Sequence, residues 1–481
     1  MKRIWPAFIV LGAVPLVIRH GDARTSAATA LCLLLAAVGL NLAAGYAGQP
    51  SLGQGAFMGV GAYAFALLRT RADWDPVIAA VAAIVIAGAG GWVIARGVAR
   101  LRPAFVALTT WLITWTFAVA LAAFPSVSGG SGGIVLGATR LRLRAIGAST
   151  TLGPPALYEI SLVACAIGFA IASSFVRRWG PALGALRNDP HAAASEGIDV
   201  SALRRHAIVM SAVYSGAAGA LLVMVSGVAD PTRYGPLLSV KLFIVVVLGG
   251  AATLLGPAAG LISLLAVSQF TRLIASAAGS DAGRLEPLVA GAALVIVLVI
   301  AGRGIVPEIA ARVRKRVARE STVARPGSYV GASIATRDIT VDYDGVRALD
   351  RVTLVVGAGT IHAIVGPNGS GKTTLLRAMS GVVVPSDGAV MLDDIALGAG
   401  SRVAMGIART FQRTVVVPDA IARDHVLAGM ESRRDASLVR ALARAPSSRR
   451  DERIAMAEAE ASLGVLGLGE HAADIADHMS T

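Results

Sequence analysis

Charged residues are scarce in this sequence. Asp, Glu, Lys and Arg make up only 15% of its 481 residues, whereas 55% are hydrophobic. This balance excludes an ordinary soluble enzyme and is typical of a protein that crosses a membrane several times. Cysteine is also rare, since Cys32 and Cys165 are the only two, and both lie in apolar runs where a thiol behaves as a small hydrophobe. A disulfide is therefore not expected.

Acidic residues are fewer than basic ones, 30 against 44, which leaves a net charge of +14. The basic residues stand in short clusters between apolar runs and do not line one face together with aromatic residues. Such clusters are typical of cytoplasmic loops under the positive-inside rule, and not of a nucleic-acid-binding surface. We therefore expect contact with a lipid bilayer and no binding of nucleic acid.

Several apolar runs approach the roughly 20 residues that a membrane-spanning helix needs. They are 4–18, 26–46, 51–68, 77–95, 104–124, 157–176, 207–229, 237–270 and 287–301. With so many runs behind it, the first is better interpreted as a retained helix than as a signal peptide. The sequence thus predicts a polytopic α-helical membrane domain over residues 1–302.

The run 237–270 is too long for one helix. The segments 177–206 and 303–319 are both rich in arginine, so both should be cytoplasmic loops, and an even number of crossings must separate them. The run should therefore form two helices, broken near Gly249-Gly250 and Gly256-Pro257. This count predicts about ten crossings in all, with the N-terminus inside and the segment 125–156 outside.

A different kind of motif lies near the C-terminus. Residues 366–373 fit the pattern G-x-x-x-x-G-K-[ST], after an apolar run at 360–365 that predicts a strand and before a run at 374–379 that predicts a helix. In this pattern backbone N–H groups and a helix N-terminus surround phosphate groups, a lysine reaches the β and γ phosphates, and a hydroxyl completes a magnesium shell. The sequence therefore predicts ATP and Mg2+ as cofactors, with Thr373 toward the metal. The predicted contacts are Gly366, Pro367, Asn368, Gly369, Ser370, Gly371, Lys372, Thr373 and Thr374.

The segment 38–63 is rich in glycine, and small residues let membrane helices approach closely. Close packing explains the glycines, but it does not explain Asn41, Gln49 and Gln54. Polar side chains at membrane depth are costly unless they pair or line a wet cavity. We expect some of these three to line a translocation path.

The stretch LNLAAGYAGQPSLGQGAFMGVGAYA resembles the hallmark segment of the M-type permease of branched-chain amino acid ABC importers. Residues 187–199 resemble that family's cytoplasmic R-x-N-x-x-A-A-x-x-x-G-I loop, and residues 247–257 resemble its V-L-G-G-x-G-x-x-x-G-P segment. The resemblance implies that residues 188–199, with Ala193, Glu196 and Gly197, form a coupling helix that docks on an ATPase. Strong helix formers between Pro190 and Gly197 agree with this interpretation. The alternative is a solvated charged loop.

Residues 303–333 change from apolar to Arg-rich and then to small and polar, which is typical of a linker. Beyond it, the runs 334–341, 352–356 and 361–365 predict strands, so residues 334–481 form an α/β domain around the phosphate-binding loop. This domain resembles the N-terminal part of a G-type ABC ATPase. Tyr343 has the position that stacks on adenine in that family, and residues 406–412 match its motif GIARTFQ. The resemblance implies that Gln412 acts in catalysis and contacts the metal and the attacking water.

Helical spacing between 431 and 470 suits the helical subdomain of that family, but the sequence ends before a signature of the type L-S-G-G-Q, the following carboxylates and a switch histidine. We therefore expect this stretch of chain alone to bind nucleotide and barely hydrolyse it. The resemblance implies a place in the bacterial cytoplasmic membrane and three protein partners: a second, H-type permease, a second, F-type ATPase and an extracytoplasmic substrate-binding protein. Two alternatives remain open, an importer of urea or short amides and a membrane-anchored nucleotide-binding regulator that transports nothing.

Overall fold

The computed structural model describes residues 21–136, 140–143, 148–151, 153–195, 197–277, 304–306, 331–343, 346–367, 369–398, 402, 405–410, 417, 420–431, 438–442, 444–476 and 479. The chain divides into two compact units. The first comprises Met1–Arg178 and Ser201–Lys315, and the second comprises Trp179–Val200 and Arg316–Thr481. The predicted membrane runs 4–18 and 287–301 lie outside the described residues.

The helices up to residue 277 follow the apolar runs. They are α1 (Gly21–Leu40), which continues into a π-helix (Asn41–Tyr46), α2 (Gln54–Thr70), α3 (Pro76–Val98), α4 (Pro103–Ala123), the short α5 (Pro125–Ser128), α6 (Pro154–Asn188), α7 (Pro190–Ser195), α8 (Val200–Ser226), α9 (Pro236–Gly249) and α10 (Gly256–Ala277). Within the described residues five helices are long and apolar enough to cross a membrane: α1 with its π-helix, α3, α4, α6 and α8. The protein is thus a polytopic membrane protein.

Helices α3 and α4 show how these elements begin and which side they expose. Asp75 caps α3, because its carboxylate accepts a hydrogen bond from the Val77 backbone N–H at 2.9 Å, and Pro76 occupies the first helical position. Large apolar side chains on both helices are exposed, including Val85 at 63% and Leu108 at 51%. Such a surface is suited to lipid, which is where a membrane protein can leave it uncovered.

The loops between the first-unit helices carry short strands. β1 (Ile134–Val135) pairs antiparallel with β4 (Val228–Ala229), and β2 (Arg140–Leu143) pairs antiparallel with β3 (Ala148–Thr151). Strand β4 is followed by a 3-10 helix, Pro231–Tyr234, that leads into α9. Tyr63, near the middle of α2, donates a hydrogen bond to the Ala229 carbonyl at 3.0 Å, so α2 is bonded to these loops.

The break in the run 237–270 is confirmed. Helix α9 ends at Gly249 and α10 begins at Gly256, and between them Gly250 and Ala252 have φ values of 110° and 62°. The prediction of a loop over 177–206 is wrong at both ends, since α6 continues to Asn188 and α8 already begins at Val200. Arginine, alanine and leucine are good helix formers, so a basic cluster at a membrane boundary does not have to end a helix.

The second unit contains an antiparallel sheet in the order β6-β5-β7-β8. Its strands are β5 (Ile334–Tyr343), β6 (Val346–Val356), β7 (Asp387–Leu392) and β8 (Ile395–Ala396). Helix α11 (Lys372–Met379) packs on this sheet through a core of Ile339, Val341, Leu349, Leu375, Ala378, Met379 and Val390. Three further helices follow, α12 (Ala422–Gly429), α13 (Leu438–Leu442) and α14 (Pro446–Val465), and the last two lie within the stretch 431–470 that was predicted to be helical.

The predicted strands at 334–341 and 352–356 are confirmed, and β6 begins earlier, at Val346. The predicted strand at 361–365 is wrong, because the chain over 360–367 has no regular secondary structure. Ile361 and Val365 are 101% and 88% exposed. A strand needs a neighbour to take up its backbone hydrogen bonds, and within the described residues no strand pairs with this segment.

Candidate functional site

The phosphate-binding loop connects the irregular segment 360–367 to the N-terminus of α11. Gly369 and Gly371 both have left-handed backbone conformations, with φ values of 85° and 86°. A Cβ atom on Gly371 would lie 2.7 Å from the Ala348 carbonyl oxygen, so the turn has no room for a side chain there. The loop therefore directs the unpaired N–H groups at the start of α11 toward one point, an arrangement that suits phosphate oxygens.

Lys372, the first residue of α11, supplies the full positive charge of this loop. Its Nζ donates hydrogen bonds to the carbonyl oxygens of Gly366 at 2.7 Å and Pro367 at 2.6 Å, and lies 3.4 Å from Ser370 Oγ. All three donors of the ammonium group thus point into the loop, and phosphate oxygens can take the place of these acceptors. Thr373 is exposed beside it and Thr374 is half-buried. The predicted contact Asn368 lies outside the described residues.

A buried arginine supports the other end of α11. The Arg402 side chain is 4% exposed and donates from Nη1 to the carbonyl oxygens of Ala378 and Met379, each at 2.9 Å. These carbonyls lie at the C-terminus of the helix, where a cation is favoured by the helix dipole. Burial lowers the pKa of the Arg402 guanidinium. The Arg402 carbonyl accepts from the backbone N–H groups of Met405 and Ile407, so the same residue also positions the segment that leads to Gln412.

Sequence reasoning did not identify Arg402, because nothing around it signals a long-range contact. Tyr343, the predicted adenine platform, ends β5 opposite Val346 and is 40% exposed, so its ring is accessible at the edge of the sheet. Gln412, the predicted catalytic and metal-contacting residue, lies outside the described residues. Residues 406–410 lead toward it without regular secondary structure.

The predicted coupling region belongs to the same compact unit as the nucleotide-binding residues, since Trp179–Val200 groups with Arg316–Thr481. One face of the end of α6 is buried at helical spacing: Trp179, Ala182, Leu183 and Leu186 are each at most 2% exposed. Helix α7 follows, and its Ala193 is 2% exposed. Gly197 has a φ of 86° and turns the chain toward α8. Glu196 lies outside the described residues.

Val417 connects this region to the nucleotide domain. Its Cγ1 lies where a Cβ atom on Gly184 of α6 would be only 3.2 Å away, so the glycine makes room for the valine. The Val417 backbone N–H donates to Nε2 of His425 at 2.8 Å, while Nδ1 of that ring lies 3.1 Å from the Ile421 carbonyl. A neutral imidazole satisfies both contacts, accepting at Nε2 and donating at Nδ1. His425 therefore holds Val417 in place against α6.

In the membrane unit, the chain between the π-helix and α2 is not helical from Ala47 to Gly53. Asn41, at the start of the π-helix that precedes this break, joins that π-helix to the turn between α9 and α10. Its Nδ2 donates to the Thr253 carbonyl at 2.8 Å, and its Oδ1 accepts from the Ala252 N–H at 3.0 Å. The π-helix and the turn between α9 and α10 therefore meet at one buried amide.

Gln54, the first residue of α2, ties that helix to α8. Its Nε2 donates to Ser211 Oγ at 2.8 Å and its Oε1 accepts from the Ser215 hydroxyl. Gln49 differs, because its side chain is fully buried but its Nε2 has only a 3.5 Å contact to the neighbouring Gly48 carbonyl. Its Oε1 has no partner among the described residues. The three residues predicted to line the path thus lie near the helix breaks. Asn41 and Gln54 join neighbouring helices by hydrogen bonds, whereas Gln49 does not.

Comparison with known proteins assigns a family to each of two regions of the chain. The family described as branched-chain amino acid transport system permease component matches residues 23–298, and the ABC transporter family matches residues 349–479. Among individual proteins, the arabinose import ATP-binding protein AraG 2 of Burkholderia thailandensis is 37% identical over 147 residues, 30% of this chain and 26% of the relative. The ribose import ATP-binding protein RbsA 1 of Mesorhizobium japonicum is 42% identical over 92 residues, 18% of each chain. The chain therefore spans about a quarter or less of the length of these relatives.

Proposed function

Because the chain belongs to the family of branched-chain amino acid transport system permease components and carries an ABC transporter domain behind it, we propose that it is a fused permease and ATP-binding subunit of an ABC importer. The observation that carries this proposal is the grouping of Trp179–Val200, which includes the end of the membrane helix α6, with the nucleotide-binding residues in one compact unit. A domain that binds nucleotide can then act mechanically on a membrane helix.

The nucleotide site is built to hold the phosphates of ATP. The N-terminus of α11 and the Lys372 ammonium group would bind the β and γ phosphates, Thr373 would ligate Mg2+, and Tyr343 would support the adenine. Bound Mg2+ would neutralise charge on the phosphates. Arg402 fixes the far end of α11, so the loop keeps its orientation when Lys372 exchanges its carbonyl acceptors for phosphate oxygens.

The coupling step requires movement at the nucleotide site to reach the membrane helices. In the sequence, Gln412 comes after Arg402, which donates hydrogen bonds to the end of α11, and before Val417, which packs against α6. A shift of this segment on nucleotide binding would therefore displace the end of α6 and, through α7 and Gly197, the start of α8. This route supports the proposal that Ala193, Glu196 and Gly197 belong to the coupling element.

The proposed substrates are branched-chain or related hydrophobic amino acids, which the permease family supports. The relatives named for arabinose and ribose import are ATP-binding proteins that match 30% or less of this chain, and an ATP-binding domain does not need to contact the solute. The urea or short-amide importer remains the second candidate, since its permeases share the motif around Gln49. A second H-type permease, a second F-type ATPase and an extracytoplasmic binding protein would complete the complex in the bacterial cytoplasmic membrane.

Uptake measurements test the substrate class. The chain is reconstituted with its partner subunits in proteoliposomes, and uptake of labelled leucine, urea and arabinose is compared at the same ATP concentration. Uptake of leucine in excess of the other two supports the proposal. Preferential uptake of urea would select the second candidate. If none of the three is transported although ATP binds tightly, the chain is a membrane-anchored nucleotide-binding regulator.

A further inference from the structure

The break between the π-helix and α2 lies deep in the membrane unit. Both backbone polar groups of Leu52 are bonded to α4, because its N–H donates to Thr110 Oγ1 at 2.8 Å and its carbonyl accepts from Thr114 Oγ1 at 2.9 Å. These threonines are the eighth and twelfth of the 21 residues of α4. If α4 spans the bilayer, the unwound chain is therefore level with the middle of the membrane.

Unwound backbone at this depth is costly unless protein groups satisfy it or it borders a polar cavity. Much of it is satisfied here. Besides the two threonines, Ser239 Oγ accepts from the Gly55 N–H at 2.8 Å, and the Gln49 N–H donates to the Ala43 carbonyl at 2.8 Å. The break is thus stabilised by specific side chains, and the hydroxyls of Thr110, Thr114 and Ser239 that support it are all buried.

A second interruption, between α9 and α10, is bonded through Asn41 to the π-helix that precedes the first. Ala252, whose N–H donates to Asn41 Oδ1, has a left-handed backbone with φ of 62°, which is strained for a residue that carries a Cβ. A Cβ atom on Gly45 of the π-helix would lie 2.5 Å from the Ala252 nitrogen, so the end of the π-helix and the α9–α10 turn are in direct contact. In transporters, helices interrupted near the midplane are where solutes bind.

Unlike Asn41 and Gln54, Gln49 does not join two helices through side-chain hydrogen bonds among the described residues. Asn41 and Gln54 each use both ends of their amide to join two segments. The Gln49 side chain is 0% exposed, and its Oε1 has no partner in the described part of the chain. The Tyr234 hydroxyl and Trp111 Nε1 also lack described partners, but neither residue lies in the unwound segment. A buried carbonyl without a hydrogen-bond donor destabilises the folded protein, so a nonpolar side chain at this position would be more stable.

We propose that Gln49 Oε1 is a solute-binding acceptor at the α1–α2 break and receives a hydrogen bond from an N–H or O–H group of the transported solute. This inference rests on the proposed transport function and deepens it. It assigns Asn41 and Gln54 to the framework of the path and Gln49 to direct contact with the solute. A carboxylate cannot donate a hydrogen bond, so Gln49 contacts the ammonium, amide or hydroxyl end of the solute.

Replacing Gln49 and Gln54 in turn by Met distinguishes a residue that contacts the solute from one that only holds helices together. Gln49→Met keeps the length of the side chain and removes the acceptor, and Gln54→Met is the matched control that removes two ties to α8. We expect Gln49→Met to melt at or above the temperature of the parent protein, because it removes an unpaired polar atom, and Gln54→Met to melt below it. In proteoliposomes, Gln49→Met should lower kcat/KM for uptake of the transported probe (leucine, urea or arabinose) about three- to tenfold, the range of one lost hydrogen bond.

Two results would overturn the assignment of Gln49. One is a melting temperature of Gln49→Met that falls as far as that of Gln54→Met, which would make Gln49 a framework residue. The other is unchanged kcat/KM in a stable Gln49→Met protein. Failure of the parent protein to transport any of the three probes would instead refute the proposed transport function, and the role of Gln49 would fail with it.

Discussion

Lys372 donates to two loop carbonyls that phosphate oxygens can replace, so its charge should decide how tightly ATP is held. We expect Lys372→Ala to weaken ATP binding about 100-fold or more, because charge-assisted hydrogen bonds are the strong ones and several are lost together. Equilibrium binding of a labelled ATP analogue measures this. Arg377→Ala is the matched control, since Arg377 is an exposed basic residue on the same helix and should leave affinity unchanged. Equal affinity in the two variants would exclude this loop as the ATP site.

Arg402 is the second residue whose removal should be informative. Arg402→Met leaves the carbonyls of Ala378 and Met379 without their buried donor, at a cost of about 1–3 kcal/mol. We expect thermal unfolding of the nucleotide domain several degrees lower than in the parent protein, and a smaller decrease for Arg402→Lys, which retains a donor. An unchanged melting temperature for Arg402→Met would mean that the clamp does not stabilise α11.

At the level of elements, we expect nucleotide binding to move the end of α6 through its contact with Val417. Gly184→Leu places a branched side chain where a Cβ atom alone would be 3.2 Å from Val417 Cγ1, and overpacking of this kind costs about 1–3 kcal/mol. We expect ATP-driven uptake to fall several-fold while ATP affinity stays unchanged. Gly97→Leu on α3 is the control, because a Cβ atom there has nothing within 4 Å. Equal uptake in both variants would remove Val417 from the coupling route.

Elements with a local signal could be predicted from the sequence. The apolar runs, the break in the run 237–270 and the helix after the phosphate-binding loop all depend on hydrophobic length, glycine or proline. The extension of α6 to Asn188 was missed because basic residues are equally suited to a loop and to a helix end. The strand predicted at 361–365 failed because a strand depends on a pairing partner elsewhere in the chain.

Contacts between distant residues could not be predicted at all. The polarity of Asn41, Gln49 and Gln54 identified an unusual stretch, but only the structure distinguishes the bonded amides of Asn41 and Gln54 from the unpaired one of Gln49. The contacts of Arg402 with α11 and of His425 with Val417 were likewise missed, because arginine and histidine are common on protein surfaces and do not by themselves indicate a buried contact. Their roles depend on burial and partner geometry, which no single sequence displays.

At the scale of the whole molecule, we propose that one chain contains both the path of the solute and the site where ATP binding drives transport. The most direct measurement is uptake of labelled leucine into proteoliposomes that contain the chain, its partner subunits and the binding protein, with and without ATP. We expect accumulation that requires ATP and is lost in Lys372→Ala but retained in Arg377→Ala. Accumulation of leucine that is equal in the parent protein and in Lys372→Ala would contradict it.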